Sequence, residues 1–308
     1  EREVMPQYFK LAQKIKNGAH FIINQIGYDA RKQDELLRYM RMHSLHTPVI
    51  ANVFVLSAGV ARYFNAGHIP GVEVTDRLLE LCERQAQSAD KGKAFFIELA
   101  AQQCAIARGL GYRGVYLGGH LRYDDYEKII ALSQSYAQND WRDFARSIDF
   151  AYPDEFYFFA PDDATRLSSD RINPDYLASK KESALRALRR KVPSSYKLNR
   201  IAHDHLFEAG SIGHKLGQKI TETIDRHTTV QKVLHTVEQA TKIPLFDCRD
   251  CGDCSLPDIA YLCPESECAK NQRNGPCGGT RQWLCEVGEK ECIWSRAYDR
   301  LKAYGEEE

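Results

Sequence analysis

The sequence predicts an α/β protein in three parts: helices alternating with parallel strands at the front, an irregular, partly helical connector, and a helical hairpin with a cysteine-rich metal-binding module at the back. Two observations carry this. From Leu11 to about Ser135, short β-rich apolar runs alternate with amphipathic helical stretches, the rhythm of βα units and a parallel sheet. Eight of the ten cysteines then fall between Cys248 and Cys292. The bulk composition is ordinary, with 43% hydrophobic and 27% charged residues among 308. Lys+Arg and Asp+Glu balance at 42 each, so no overall field draws the chain to nucleic acid or anionic lipid. No apolar run approaches the ~18 residues of a membrane span.

Taken in order, HFIINQIG (His20 to Gly27) reads as the first strand, and Asp29 caps a helix through ARKQDELLRYM. PVIANVFVL (Pro48 to Leu56) is a second, continuously apolar strand, as buried parallel strands are. Thr75 caps a helix carrying Leu78, Leu79 and Cys82. A longer helix, Ala94 to Gly109, ends in a Gly-Leu-Gly stop. RGVYLGG (Arg113 to Gly119) is the third strand, followed by a helix from Asp124 to about Ser135. Three strands are too few for a covered parallel sheet and need partners from this or another chain. Beyond Gln138 the pattern loosens. EFYFFAP (Glu155 to Pro161) reads as an aromatic anchor against the core, SSDRINPDY as loop, and Lys180 to Lys191 as a basic helix with a solvated face. Ile212, Leu216, Ile220 and Ile224, then Val230, Val233, Leu234 and Val237, fall at helical spacing and predict the core stripes of a helical hairpin. The expected division is 1–137, 138–200 and 201–308.

The cysteines Cys248, Cys251, Cys254, Cys263, Cys268, Cys277, Cys285 and Cys292 are separated by 2, 2, 8, 4, 8, 7 and 6 residues. Such density means either a disulfide framework or thiolates around metal. A secreted chain would not confine its cysteines to one tail and leave Cys82 and Cys104 free in helices, so metal and a reducing, cytoplasmic compartment are expected. The opening C-x2-C-x2-C run, with Cys263 followed by Pro264, is similar to the ferredoxin pattern except for its longer last gap. One [4Fe-4S] cluster on Cys248, Cys251, Cys254 and a later cysteine is the leading expectation. An all-cysteine zinc site and two four-cysteine sites are the alternatives, with some of the eight as buried apolar thiols. No histidine follows His235, which excludes a Cys2His2 site and leaves His235 a reserve ligand. Backbone N–H groups of the glycine-rich NGPCGG are placed to donate to thiolate sulfur, which marks Cys277 as a ligand.

Working groups of a parallel α/β barrel stand at the carboxyl ends of its strands. Gln25, Ser57 and the Gly118-Gly119-His120 turn occupy those ends. A glutamine offers a donor and an acceptor to an amide-edged ring. The bland reading is that Gln25 ties its strand to a neighbour and that the glycines make a plain tight turn.

Two stretches together resemble the methylenetetrahydrofolate reductase family. LAQKIKNGAHFIINQIGYD (Leu11 to Asp29) is similar to its sixth barrel strand, with Lys14, the Gly18-Ala19 pair and Gln25 in place and Asn24 where a threonine is usual. CRDCGDC, CPESECAKNQRNGPCGG and CIWSRAYDRLK resemble the cysteine-rich C-terminal domain fused to many bacterial members. The resemblance implies the last three βα units of a (β/α)8 TIM-type barrel, a helical connector and a small metal-binding domain. It also implies FAD, and flavin-dependent reduction of 5,10-methylenetetrahydrofolate to 5-methyltetrahydrofolate. By position, Lys14 would touch the flavin cofactor, Gln25 the pterin edge, and Arg122 the folate tail. The family's catalytic glutamate and most flavin contacts belong to earlier strands outside this sequence, and LSAG (Leu56 to Gly59) lacks the phenylalanine that usually packs on the pterin. The chain is therefore expected to be the back part of a longer product, or to meet its N-terminal barrel half in another chain. An iron–sulfur or NADH-oxidising electron donor and an oligomer are further expectations. The rival readings are a non-catalytic metal-binding subunit and a folate-dependent methyl-transfer protein.

Overall fold

The computed structural model describes residues 1–183, 191–224, 228–288 and 290–308. They form a mixed α/β structure of two compact units, residues 3–177 and 178–308 in the main. No helix among the described residues is long and apolar enough to cross a membrane.

In the first unit, α1 (Met5–Lys16) leads into β1 (Ile22–Ile23), and α2 (Ala30–Met42) into β2 (Val49–Phe54). Then come α3 (Ala58–Asn65), α4 (Asp76–Gln85), α5 (Lys93–Leu110), β3 (Gly114–Gly118), α6 (Tyr123–Ser135) and α7 (Trp141–Ser147). The three strands pair in parallel in the order β1-β2-β3, as the alternating pattern predicts. Caps fall where the residues demand them. Asp29 accepts from the N–H groups of Arg31 and Lys32 at 3.0 and 3.1 Å, and Thr75 from Leu78 at 3.4 Å. Gly111 ends α5 at φ +101°, a conformation glycine adopts without strain.

The sheet has two unlike faces. Val49, Ala51 and Val53 of β2 are buried; Val49 and Ala51 pack on Leu37 and Met40 of α2 and Ala107 of α5. The alternate residues look the other way. Register sets Ile23 beside Ile50 and Asn52 beside Tyr116. On that face Phe21, Ile23 and Tyr116 are 57%, 46% and 56% exposed. A parallel sheet ordinarily buries both faces, and among the described residues this one leaves these three apolar side chains of one face exposed.

The segment SSDRINPDY, expected as loop, is instead β5 (Ser168–Ile172) followed by the start of α8 (Pro174–Ser183). β5 pairs antiparallel with β4 (Phe159–Pro161). The polar sequence hides this strand because its order comes from outside itself: the Asp34 carboxylate on α2 accepts the Ser168 N–H at 3.0 Å. Phe158 and Phe159 are buried, as an aromatic anchor should be. Of the expected basic helix at Lys180 to Lys191, residues 184–190 lie outside the described residues.

The second unit holds α9 (Ser194–Leu206), α10 (Ile212–Ile224), α11 (Thr228–Phe246), α12 (Pro264–Glu267), the hairpin β6 (Thr280–Arg281) with β7 (Leu284–Cys285), and α13 (Ile293–Lys302). Its core gathers Tyr196, Ile259, Leu262, Ile293 and Ala297. The buried Arg300 of α13 donates to Ala260 O at 2.7 Å, fixing a turn whose Ala260 and Tyr261 take φ +50° and +57°. The hairpin of α10 and α11 corrects an expectation. Both helices form, but Ile212, Leu216, Val233 and Val237 are 87%, 59%, 58% and 56% exposed, so these stripes are not core. The side chains of Ile220 and Ile224 lie outside the described residues.

Candidate metal centre and strand-end residues

All ten cysteines are free thiols. The eight in the tail divide into two sets of four. Cys248, Cys251, Cys254 and Cys263 line one cavity of about 210 Å³, together with His235, Gln239 and Lys242 of α11 and Arg273. Cys268, Cys277, Cys285 and Cys292 line a second, of about 30 Å³. Local backbone explains the grouping. Asp250 and Gly252, at φ +53° and +79°, curl the C-x2-C-x2-C segment so that its three thiols share one cavity with Cys263, the residue that opens α12. The second set draws on the end of α12 (Cys268), the glycine-rich turn (Cys277), the end of β7 (Cys285) and the start of α13 (Cys292).

The two sets are held differently. In the first, Lys242 Nζ donates to Cys254 Sγ at 3.6 Å and is paired with Glu238. Arg273 is bound by Glu265 at 2.6 Å and Asp253 at 3.1 Å. Glu265 foremost, and Cys251 after it, push the Arg273 guanidinium further up and keep it charged. Asp250 joins α11 to the loop, meeting His235 Nε2 at 3.0 Å and accepting from Gln239 at 2.8 Å. Gln239 Oε1 and Ser255 Oγ, buried and without a partner among the described residues, belong to residues lining the same cavity. The second set adds backbone amides to its lysine, Lys270, which stands 4.0 Å from Cys277 Sγ. Gly279 N–H reaches Cys277 Sγ, the donation NGPCGG predicts, and Gln272 N–H reaches Cys268 Sγ, both at 3.4 Å.

Four thiols per cavity suit an iron–sulfur cluster or zinc by donor chemistry alone. Spacing separates the two. A single tetrahedral zinc with Zn–S of about 2.3 Å would hold its sulfurs about 3.8 Å apart. Among the described residues, only His203, Asp204 and Glu208 bring three ligand atoms within 4.8 Å of one another; no three cysteines do. In neither cavity are three thiols drawn to the spacing of a single zinc ion. The sequence pattern did not reveal Lys242, Gln239 or Arg273. The helical face His235, Gln239, Lys242, Phe246, running straight into Cys248, was the signal for the first two.

In the first unit, Gln25 is exposed just beyond β1. Its amide donates to Pro70 O at 3.3 Å and accepts from Ile26 N–H at 3.0 Å, so it ties the strand end to a neighbour with one donor and acceptor capacity to spare. Asn24 prolongs the sheet instead, its Oδ1 accepting Asn52 N–H at 2.6 Å. Ser57 caps α3, accepting from Val60 N–H at 3.3 Å. Gly119, at φ +144°, packs so near β2 that a Cβ would stand 3.2 Å from Val55 Cβ. Arg122 is exposed after β3, at the same carboxyl edge of the sheet as Gln25. Lys14, in the last turn of α1, lies at the other end of β1, beside Asn17, Ala19 and Phe21. Gln25 and Arg122 thus share an edge, and Lys14 does not join them. Burial pushes the remaining thiols, Cys82 and Cys104, up to about 12, away from the reactive thiolate form.

No curated protein and no solved structure matches the chain. Residues 227–308, which span α11 and both cysteine sets, match the family model described as methylene-tetrahydrofolate reductase C terminal, and this part of the chain is similar to that domain.

Proposed function

We propose that the chain is the C-terminal part of a flavin-dependent methylenetetrahydrofolate reductase, with cysteine-ligated metal that relays electrons to the flavin. The match over 227–308 carries this reading, and it falls on the residues that gather the eight thiols. The first unit supports it. A parallel sheet in consecutive order, covered by helices on one face and with apolar side chains exposed on the other, is what three adjacent units of a (β/α)8 barrel would look like without the other five. On this reading the partner of that exposed face is the N-terminal barrel half, in the same or another chain, and that half brings the catalytic glutamate.

When bound, FAD supplies the hydride that turns 5,10-methylenetetrahydrofolate into 5-methyltetrahydrofolate. Gln25 offers its spare donor and acceptor to the pterin edge, and Arg122 offers a planar cation to a carboxylate tail. Lys14, at the opposite end of β1, would meet only a distant part of the cofactor. Cys248, Cys251, Cys254 and Cys263 would hold a [4Fe-4S] cluster, and Cys268, Cys277, Cys285 and Cys292 a second cluster or zinc. An iron–sulfur or NADH-oxidising protein is the donor that such a relay requires, and the cytoplasm the compartment that keeps its thiols reduced.

The test is reconstitution. The chain, loaded with iron and sulfide, is mixed with a flavin-bearing barrel half and assayed for viologen-linked oxidation of 5-methyltetrahydrofolate. Activity that Gln25→Ala weakens through KM supports the proposal. An iron-loaded chain that binds the barrel half but adds nothing to its rate favours the non-catalytic subunit, a reading to which the three-strand sheet also lends itself.

A further inference from the structure

We propose that Lys242 sets the reduction potential of the first cysteine set through Cys254. The inference rests on the reading that this set holds an iron–sulfur cluster. A four-iron cluster on four thiolates gains one negative charge with each electron taken from a donor, so a cation held against its sulfurs favours the reduced form. Lys242 is such a cation. Its side chain is 24% exposed, hydrogen-bonds Cys254 Sγ at 3.6 Å and is fixed from behind by Glu238, one turn earlier on α11. Partial burial weakens the screening of this charge by salt.

The carboxylate behind this cation makes the effect directional. Without the Lys242 ammonium, Glu238 faces the thiolates unopposed and disfavours reduction; without the Glu238 charge, the ammonium acts unopposed. The second set has its own lysine, Lys270, 4.0 Å from Cys277 Sγ and paired with Glu286; these substitutions leave it untouched, so it serves as an internal control.

The experiment titrates the full iron-loaded chain with dithionite at poised potentials and follows the reduced clusters by electron paramagnetic resonance. Lys242→Met should lower the reduced-to-oxidised ratio of the first centre about tenfold at fixed potential, a one-electron shift of about 59 mV, with the second centre unmoved. Lys242→Arg should restore it, and Glu238→Gln should move it the opposite way. An unchanged ratio in iron-replete Lys242→Met overturns the proposal. If that variant sheds iron, Glu238→Gln carries the test, and an unmoved ratio there overturns it too. A wild-type chain that takes zinc and no iron sinks the underlying reading instead, and metal analysis tells the two failures apart.

Discussion

The carboxylate of Glu35 and the thiols of the first cysteine set each gather charge beside a helix, one in each unit, on opposite terms. Glu35 is fully buried. Its oxygens take hydrogen bonds from Tyr8 OH at 2.8 Å, Lys32 Nζ at 3.1 Å and the N–H groups of Phe158 and Phe159 at 2.6 and 3.2 Å. Every donor there is answered, so the cluster can do nothing except hold the segment before β4 against α2. The thiol cavity is the reverse. Cys251 and Cys254 are exposed, Lys242 faces sulfur, and two buried polar atoms have no partner among the described residues. A satisfied buried network is a structural joint; an unsatisfied one beside four soft donors is a seat for something else.

Crossed substitutions break or sharpen this contrast. Cys254→Ser has the largest expected effect. It should abolish metal at the first set while the second keeps its own, read as loss of part of the iron by metal analysis, with the urea midpoint of the first unit unmoved. Retention of all the metal would mean that the cavity is not a ligand set. Glu35→Ala should do the converse. It leaves Tyr8 OH and the Phe158 and Phe159 N–H groups buried without that acceptor, while Lys32 keeps Glu155 and Phe156 O, at a cost of about 3–5 kcal/mol. Denaturant unfolding followed through the first unit's tyrosines measures this, and metal content should stay constant.

How much of this was legible depended on the range over which each feature is decided. Asp29 and Thr75 declare their helices because a cap is settled within three residues. The parallel order of the strands follows from the apolar runs and the helices between them. β5 was hidden, since its order comes from Asp34, more than a hundred residues away in sequence. Ser57 invited a functional reading at a strand end and proved to be the cap of α3, which the Leu56-Ser57-Ala58-Gly59 exit had masked. In the tail, spacing announced thiolate chemistry. The division into Cys248, Cys251, Cys254, Cys263 and Cys268, Cys277, Cys285, Cys292 needed α12, which ends one set at Cys263 and starts the other at Cys268. The stripes on α10 and α11 followed helical spacing faithfully, but periodicity tells which face is apolar, not whether this chain covers it.

The smallest expected effect concerns the edge of the Glu35 joint and carries a definite sign. Asp29 caps α2 and accepts from Tyr157 OH at 2.7 Å, yet burial outweighs these hydrogen bonds and holds its carboxyl above the ordinary 3.8. A group whose pKa rises on folding contributes stability that is complete below its unfolded pKa and is lost as pH rises through the folded one. The stability of the wild type relative to Asp29→Asn should therefore fall as pH climbs from about 3 towards neutrality. Asparagine caps a helix as well as aspartate does, so the comparison removes the charge and keeps the cap. Urea unfolding of both proteins at several pH values gives the difference directly. A difference that grew with pH would mean that the Tyr157, Arg31 and Lys32 donors outweigh desolvation, and that Asp29, like Glu35, is a fully answered joint.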